Sequence, residues 1–415
     1  MRILSIFCVL VLFLSVPDSA AQQAQPRFVH VRGESIVAPD GSPLLLRGIN
    51  LGNWLVPEGY MFLLDSASSP RLINNLLTEL IGPEDAKTFW RTFRDTYISQ
   101  ADIGYIKSLG LNSIRVPFNA RLFLPEEYGD LWSQEPFIYL DRVLAWCREE
   151  GLWVVLDMHC APGGQTGDNI DDSWGYPFLF ESAAAQERTV ELWKRIAGRY
   201  AHEPILVGYD LLNEPIAHFF DQERLNPRLE PLYKRIVAGI RSVDKNHLVF
   251  LGGAQWDTNF KVFGPPFDDK AVYTFHRYWC DTTQAMVQEF TDFRSKHSVP
   301  IWLGESGENT NEWIASFRRL LERNNIGWCF WPYKRMDASR CIVTFGRPGG
   351  WETIQAYARA CRSGYGGIRA GRPPMTVVRK ILDEYLRLIQ FTSCRPNEGY
   401  ISALGCSLPG GPVRK

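Results

Sequence analysis

Glu214 follows the run Ile205-Leu206-Val207-Gly208-Tyr209-Asp210-Leu211-Leu212-Asn213 and precedes Pro215. Glu305 follows Ile301-Trp302-Leu303-Gly304. Each run reads as a short buried strand. Pro215 cannot donate a ladder hydrogen bond, so strand pairing should stop there. Two carboxyls at the ends of two buried strands can divide one reaction between them. A protonated one gives a proton while an ionised one attacks. Like charges held close push their titrations apart, which supplies that difference.

The other apolar runs end in residues of comparable chemical use. In chain order these are Asn50 with Trp54 and Glu58, then Arg115, His159, Asn213, Gln255 with Trp256, His276 with Tyr278, and Trp331. Arg115 lies inside a strand-like run, Ser113–Pro117, where a surface charge is out of place. His159, His276, Glu214 and Glu305 also have metal-ligand chemistry. No His-x-x-x-His pair anchors such a site, and Asp157 with His159 is the nearest approach to one. The expectation is no metal and no cofactor.

Elements that could position this ring follow from the pattern. Strands are expected at 44–50, 113–117, 153–158, 206–212, 248–252, 272–275, 301–304 and 328–331. Helical patterns lie between them, at 84–96, 100–109, 138–150, 183–200, 231–243, 282–297, 311–324 and 375–388. Gly151 and Pro373-Pro374 supply a stop and a start. Eight apolar strands alternating with helices imply parallel pairing and a closed (β/α)8 TIM barrel, whose strand ends converge on one face. A hairpin around Pro39-Asp40-Gly41 precedes the first strand. The segments from Pro57 to about Trp90 and from Gly163 to Phe180 read as long loops on the catalytic face. An open doubly wound sheet would want a Gly-rich phosphate turn after its first strand, and Gly48-Ile49-Asn50-Leu51-Gly52 is not one.

Composition agrees with a globular chain: 45% hydrophobic and 22% charged residues among 415. A net charge of −1 gives no reason to expect a nucleic-acid or anionic-membrane partner. The 14 Trp give some weight to carbohydrate, because sugar faces stack on indole. Arg2, the apolar run Ile3–Val16 and Ser19-Ala20-Ala21 read as a secretory signal cut after Ala21, hence a secreted or periplasmic protein. The expected organisation is signal 1–21, one catalytic domain 22–390 and a tail 391–415. Export permits disulfides. Cys394 with Cys406 is the favoured pair, as a staple for a Gly/Pro-rich tail, and Cys341 with Cys361 is second. No CxxC spacing suggests structural zinc.

The motifs Gly48-Ile49-Asn50-Leu51-Gly52-Asn53-Trp54-Leu55, Ile114-Arg115-Val116-Pro117, Leu156-Asp157-Met158-His159, Leu212-Asn213-Glu214-Pro215, His276-Arg277-Tyr278 and Gly304-Glu305-Ser306 occur in that order. In this the chain resembles glycoside hydrolase family 5, the cellulase-like retaining β-glycosidases. The resemblance implies Glu214 as acid/base and Glu305 as nucleophile. It implies Arg115, His159, Asn213, His276, Tyr278 and Trp331 as the shell around the first sugar. Leu51-Gly52-Asn53-Trp54-Leu55-Val56-Pro57-Glu58 and His159-Cys160-Ala161-Pro162-Gly163-Gly164-Gln165-Thr166-Gly167 are most similar to the exo-β-1,3-glucanase and β-glucosidase branch, which implies that Glu58 touches the terminal sugar. The loop around Asn169-Ile170-Asp171-Asp172 departs from that branch, and Ser306 stands where an aromatic often follows the nucleophile.

Independently of the resemblance, a retaining glycosidase needs two carboxyls about 5–5.5 Å apart. Arg115 and Tyr278 near Glu305 would keep it ionised, and Asn213 could bond the sugar 2-hydroxyl. The substrate expected is a β-linked oligo- or polysaccharide, attacked at its ends because long loops wall a cleft into a pocket. An endo-acting β-1,4-glucanase or β-mannanase is the alternative. A non-catalytic carbohydrate-binding barrel and a metal-dependent hydrolase stand behind these. Sugar, linkage and oligomeric state stay open.

Overall fold

All eight apolar runs form strands, and each pairs in parallel with its neighbours in sequence. They are β1 (Arg47–Asn50), β2 (Ser113–Asn119), β3 (Trp153–Cys160), β4 (Leu206–Asp210), β5 (Leu248–Gly252), β6 (Ala271–His276), β7 (Ile301–Glu305) and β8 (Gly327–Phe330). β8 returns to β1, with Trp328 opposite Arg47 and Phe330 opposite Ile49, so the barrel closes. This computed structural model describes residues 28–126, 129, 131–360 and 362–408. The segment read as a signal and Cys361 lie outside them. No described helix is long and apolar enough to cross a membrane.

Side chains alternate across each strand. Leu46, Val155, Val207, Leu248, Phe250, Val272, Trp302 and Cys329 form one interior cluster, joined by Val29 and Ile36 of the N-terminal hairpin. The hairpin pairs His30–Arg32 with Ser35–Val37 and plugs that end of the barrel. Further along the same strands the inward positions turn polar. Val155 is followed by Asp157 and His159, and Val272 by Thr274 and His276. One end is therefore core and the other is a site. The second, larger apolar cluster lies between strands and helices.

Local signals set the helices. Ser182 caps Ala183–Tyr200 by accepting from Ala185 N, and Thr310 caps Asn311–Arg323 by accepting from Trp313 N. Gly151, with φ 66°, ends Glu135–Glu150. The long segment after β1 contains one helix that the pattern did not show, Pro70–Ile81, followed by Pro83–Tyr97, the helix expected at 84–96. Both pack against Met375–Leu388, with Phe62 stacked on Tyr385 at 5.3 Å.

The C-terminal residues are docked, which corrects the expected staple. Arg395–Pro396 adds to the strand Val343–Phe345. Helix Glu398–Ala403 packs on Asn311–Arg323, and buried Tyr400 donates its hydroxyl to Trp331 O at 3.0 Å. Cys394 and Cys406 are both free, their thiols directed to the carbonyls of Gln390 and Leu404. Packing and strand addition hold this segment in place. Cys341 is free as well, buried and donating to Val343 O at 3.2 Å, and Cys361, the partner expected for it, lies outside the described residues.

Candidate active site

Register brings the polar residues together. Asn50 pairs with Arg115, Asp157 with Asp210, and His276 with Glu305. β4 ends at Asp210 rather than Leu212. The chain then turns so that Glu214, at φ 47°, and Ile216, at φ 57°, hold left-handed backbone. Gln165 donates to the carbonyls of His159 and Asn213, and Thr166 to that of Glu214, which fixes the turn.

Arg115 is the hub, with no exposed surface. Its Nε donates to Asp210 Oδ2 at 2.8 Å, Nη2 to Asn213 Oδ1 at 2.8 Å, and Nη1 to Asn50 Oδ1 at 3.1 Å and Glu305 Oε2 at 3.0 Å. Nη2 also lies 3.1 Å from Asp157 Oδ1. Burial works against its charge, but Asp157, Asp210 and Glu305 outweigh burial and raise its pKa. The other oxygen of Glu305 accepts from the Tyr278 hydroxyl at 2.7 Å. Glu214 has a different neighbour: its Oε1 lies 2.9 Å from His276 Nδ1. A carboxylate oxygen of each glutamate and a ring nitrogen of His276 lie within 4.8 Å of one another.

Burial lifts Glu214 to about 7, against the opposing pull of His159 and Arg115. Burial also raises Glu305, with His276 and Arg115 pulling down and Glu214 pushing up. Only Glu305 accepts hydrogen bonds from a cation and a phenol, and those favour its anion. Burial lowers His159 to about 4 and His276 to about 3, so both are neutral near pH 7. Three donor atoms of Glu214, His276 and Glu305 have metal-ligand chemistry, but the buried Arg115 cation at Glu305 opposes a second cation there.

Apart from Trp54 and Gln255, the expected residues border this centre or support it. Glu58, His159, Glu214, His276, Tyr278, Glu305 and Trp331 line one cavity of about 780 Å³, while Arg115 and Asn213 lie beneath it. Trp331 stacks on His159, 5.6 Å away with planes 10° apart, and donates to the Tyr60 hydroxyl at 2.6 Å. A Cβ at Gly52 would sit 2.6 Å from that indole, so glycine is what admits the ring. Glu58 Oε1 is buried without a hydrogen-bond partner, and burial, then Glu305, Glu308 and Glu214, raise its pKa well above normal. Trp54 is instead core, its Nε1 donating to Arg94 O. Gln255 bonds Asn226, while its neighbour Trp256 does face the cavity.

The sequence did not signal Tyr60, Glu308, His218 or Trp279 as lining residues, nor Asp257 beneath Glu214. They come from loops without strand-like patterning. Asn169 and Ile170 line the cavity, whereas Asp171 and Asp172 organise their loop. Asp171 accepts from the amides of Thr166 and Gly167. Asp172 binds Arg71 and Asn119, tying this loop to the segment after β1.

Residues 79–337 match the family model described as cellulase, glycosyl hydrolase family 5. The chain is 34% identical over 254 residues to a β-xylosidase of Phanerodontia chrysosporium, covering 60% of this chain and 52% of that one. It is 26% identical over 313 residues to endoglucanase C of Acetivibrio thermocellus, covering 60% and 88%. It is 30% identical over 257 residues to a glucan 1,3-β-glucosidase of Candida oleophila, covering 56% and 58%. The match thus spans little more than half the length of two of these relatives. The chain belongs to the cellulase family, glycosyl hydrolase family 5.

Proposed function

We propose that the chain is a secreted, retaining β-glycosidase that hydrolyses β-glucosidic bonds of a glucan or oligosaccharide from its ends. Glu305 attacks the anomeric carbon while Glu214 gives its proton to the leaving oxygen. Water then attacks the glycosyl-enzyme, yields a proton to Glu214, and frees Glu305 with the β configuration restored. The observation that carries this is the unequal treatment of two facing carboxyls. Glu305 is held by Arg115 and Tyr278, whereas Glu214 has only neutral His276 and a carboxyl lifted to about 7. Asn213, His159, Trp331 and Glu58 would bind the first sugar. Proton NMR of the earliest product tests the reading: the β anomer supports it, and the α anomer overturns it.

End-wise action is supported by Glu58, Tyr60 and Glu308 on the cavity wall, carried by the segments after β1 and β7. The glucosidase relative supports the same reading. Internal cleavage is the second reading, favoured by the endoglucanase relative, whose length the match covers by 88%. A fast viscosity drop with few reducing ends released selects it over the first. Secretion rests on the charged, apolar and small-residue order of residues 2–21, and sequencing the N-terminus of exported protein tests it.

A further inference from the structure

After β5 the chain makes a turn in which Gln255, Trp256 and Asp257 all hold left-handed backbone, with φ of 50, 63 and 57°. None is glycine, so each carries a steric cost. Such strain persists where the surroundings fix it, and it clusters at functional sites. Here the turn drives Asp257 into the barrel, fully buried against Gly252, where a Cβ would sit 2.0 Å from Asp257 Oδ1.

Asp257 reaches Glu214 by two routes. Its Oδ2 accepts from the Glu214 backbone N–H at 3.1 Å. The same oxygen faces His276 Nε2 at 3.4 Å, a contact without hydrogen-bond geometry that leaves this buried nitrogen without a hydrogen-bond partner, and His276 Nδ1 lies 2.9 Å from Glu214 Oε1. A neutral imidazole has one N–H and one lone pair, and the partner of one nitrogen decides the role of the other. Oδ2 is already an acceptor, since an amide donates to it.

We infer that Asp257 is a positioning residue for Glu214: its carboxyl faces His276 Nε2 and so favours the tautomer with the proton there, whose bare Nδ1 accepts the Glu214 acid proton. The inference rests on the reading of Glu214 as acid/base. With its proton in place, Glu214 is held toward the leaving oxygen. Once that proton has moved, the carboxylate faces a lone pair, which favours its reprotonation. Water supplies the proton as its oxygen bonds to the anomeric carbon and the bond to Glu305 breaks.

The other charged or titratable groups near the relay are few. His159, Arg115 and Asp157 act on Glu214, which in turn acts on Glu305; Glu305, Arg115 and His159 act on His276; and Asp210, Glu214 and Arg115 act on Asp257, with Tyr233 beside it. Burial, then Asp210 and Glu214, raise the Asp257 carboxyl well above its usual range.

Selective ¹⁵N labelling of the seven histidines of the full chain reads the tautomer directly, with His276→Gln identifying the resonance. Protonated Nε2 and bare Nδ1 are expected in the wild type, and Nδ1–H overturns the inference. Asp257→Ala should release the tautomer and let Nδ1–H stabilise the Glu214 anion. The alkaline limb of kcat/KM then moves to lower pH by about one unit. Turnover of a glycoside with a poor leaving group falls about tenfold or more, while an activated aryl glycoside keeps its glycosylation rate. Gly252→Ala, which displaces the carboxylate without removing it, should move the limb the same way. An unmoved limb in both variants, with only a lower Tm, reduces Asp257 to a structural role and overturns the inference. Azide rescue of Glu214→Ala reports on Glu214 alone, so a failure of that assignment is seen separately.

Discussion

Arg115 Nη1 lies 3.0 Å from Glu305 Oε2, and the arginine side chain has no exposed surface. The same guanidinium also pairs with Asp157 and Asp210. Removing it strands three carboxyls in the barrel. Breaking a buried ion pair from one side costs about 3–5 kcal/mol. Arg115→Met should therefore lower stability by that order in urea titration. It should also raise the Glu305 carboxyl, because a cation that favours the anion is gone. The acid limb of kcat/KM then moves to higher pH in whatever protein remains folded. A variant with wild-type stability and an unmoved acid limb contradicts this account.

Glu214 sets a second, opposite dependence. Its folded value of about 7 stands above the ordinary 4.5. The native state therefore binds the proton more tightly than the unfolded chain. That contribution to stability is complete below the unfolded value and is lost as pH rises through about 7. Above it the fold carries an unfavourable buried anion. Glu214→Gln, which cannot ionise, should be more stable than wild type at pH 8 by about 1–3 kcal/mol. The difference should close near pH 4. Thermal melts at the two pH values check it, and a variant that is less stable at pH 8 sinks it.

The barrel was legible because its strands are buried on both faces and so read as continuous apolar runs. The ring was legible because barrel strand ends converge, which places Arg115, His159, Glu214, His276, Tyr278, Glu305 and Trp331 at one face from their positions in the runs alone. Asp210 was hidden by the same pattern, since it sits inside the run that marked its strand. Asp257 was hidden for another reason. Its turn holds left-handed backbone without a glycine, so no local residue announces the bend. Trp54 was misplaced because strand-end spacing cannot say which way a side chain points once the strand has ended. The expected Cys394–Cys406 bridge failed because Gly and Pro suggested a loose tail, while Tyr400 and Ile401 were burying it.

Glu214, His276 and Glu305 present three ligand-type atoms within 4.8 Å of one another, so a metal test has a sharp outcome. Two carboxyls suffice for acid, base and nucleophile in this chemistry. Activity should survive exhaustive dialysis against EDTA. Loss of turnover that a divalent ion restores would mean that His276 and the two glutamates have been assigned the wrong work.

The final prediction separates the two glutamates by kind rather than by size of effect. Glu305→Ala removes the covalent step for every substrate. Glu214→Ala removes a proton donor, so it should hurt most with poor leaving groups and much less with an activated aryl leaving group. With that activated substrate, the glycosyl-enzyme on Glu305 still forms in Glu214→Ala. Azide, which needs no deprotonation, should then attack from the face the leaving group vacated and give a β-glycosyl azide. In Glu305→Ala azide can act only in place of the missing carboxylate and should give the α product. Glu305 receives Arg115 and Tyr278 on its two oxygens, as an ionised nucleophile requires, and Glu214 receives neither. Proton NMR of the azides reads the anomers, and the assignment is falsified if the two variants give the reverse products.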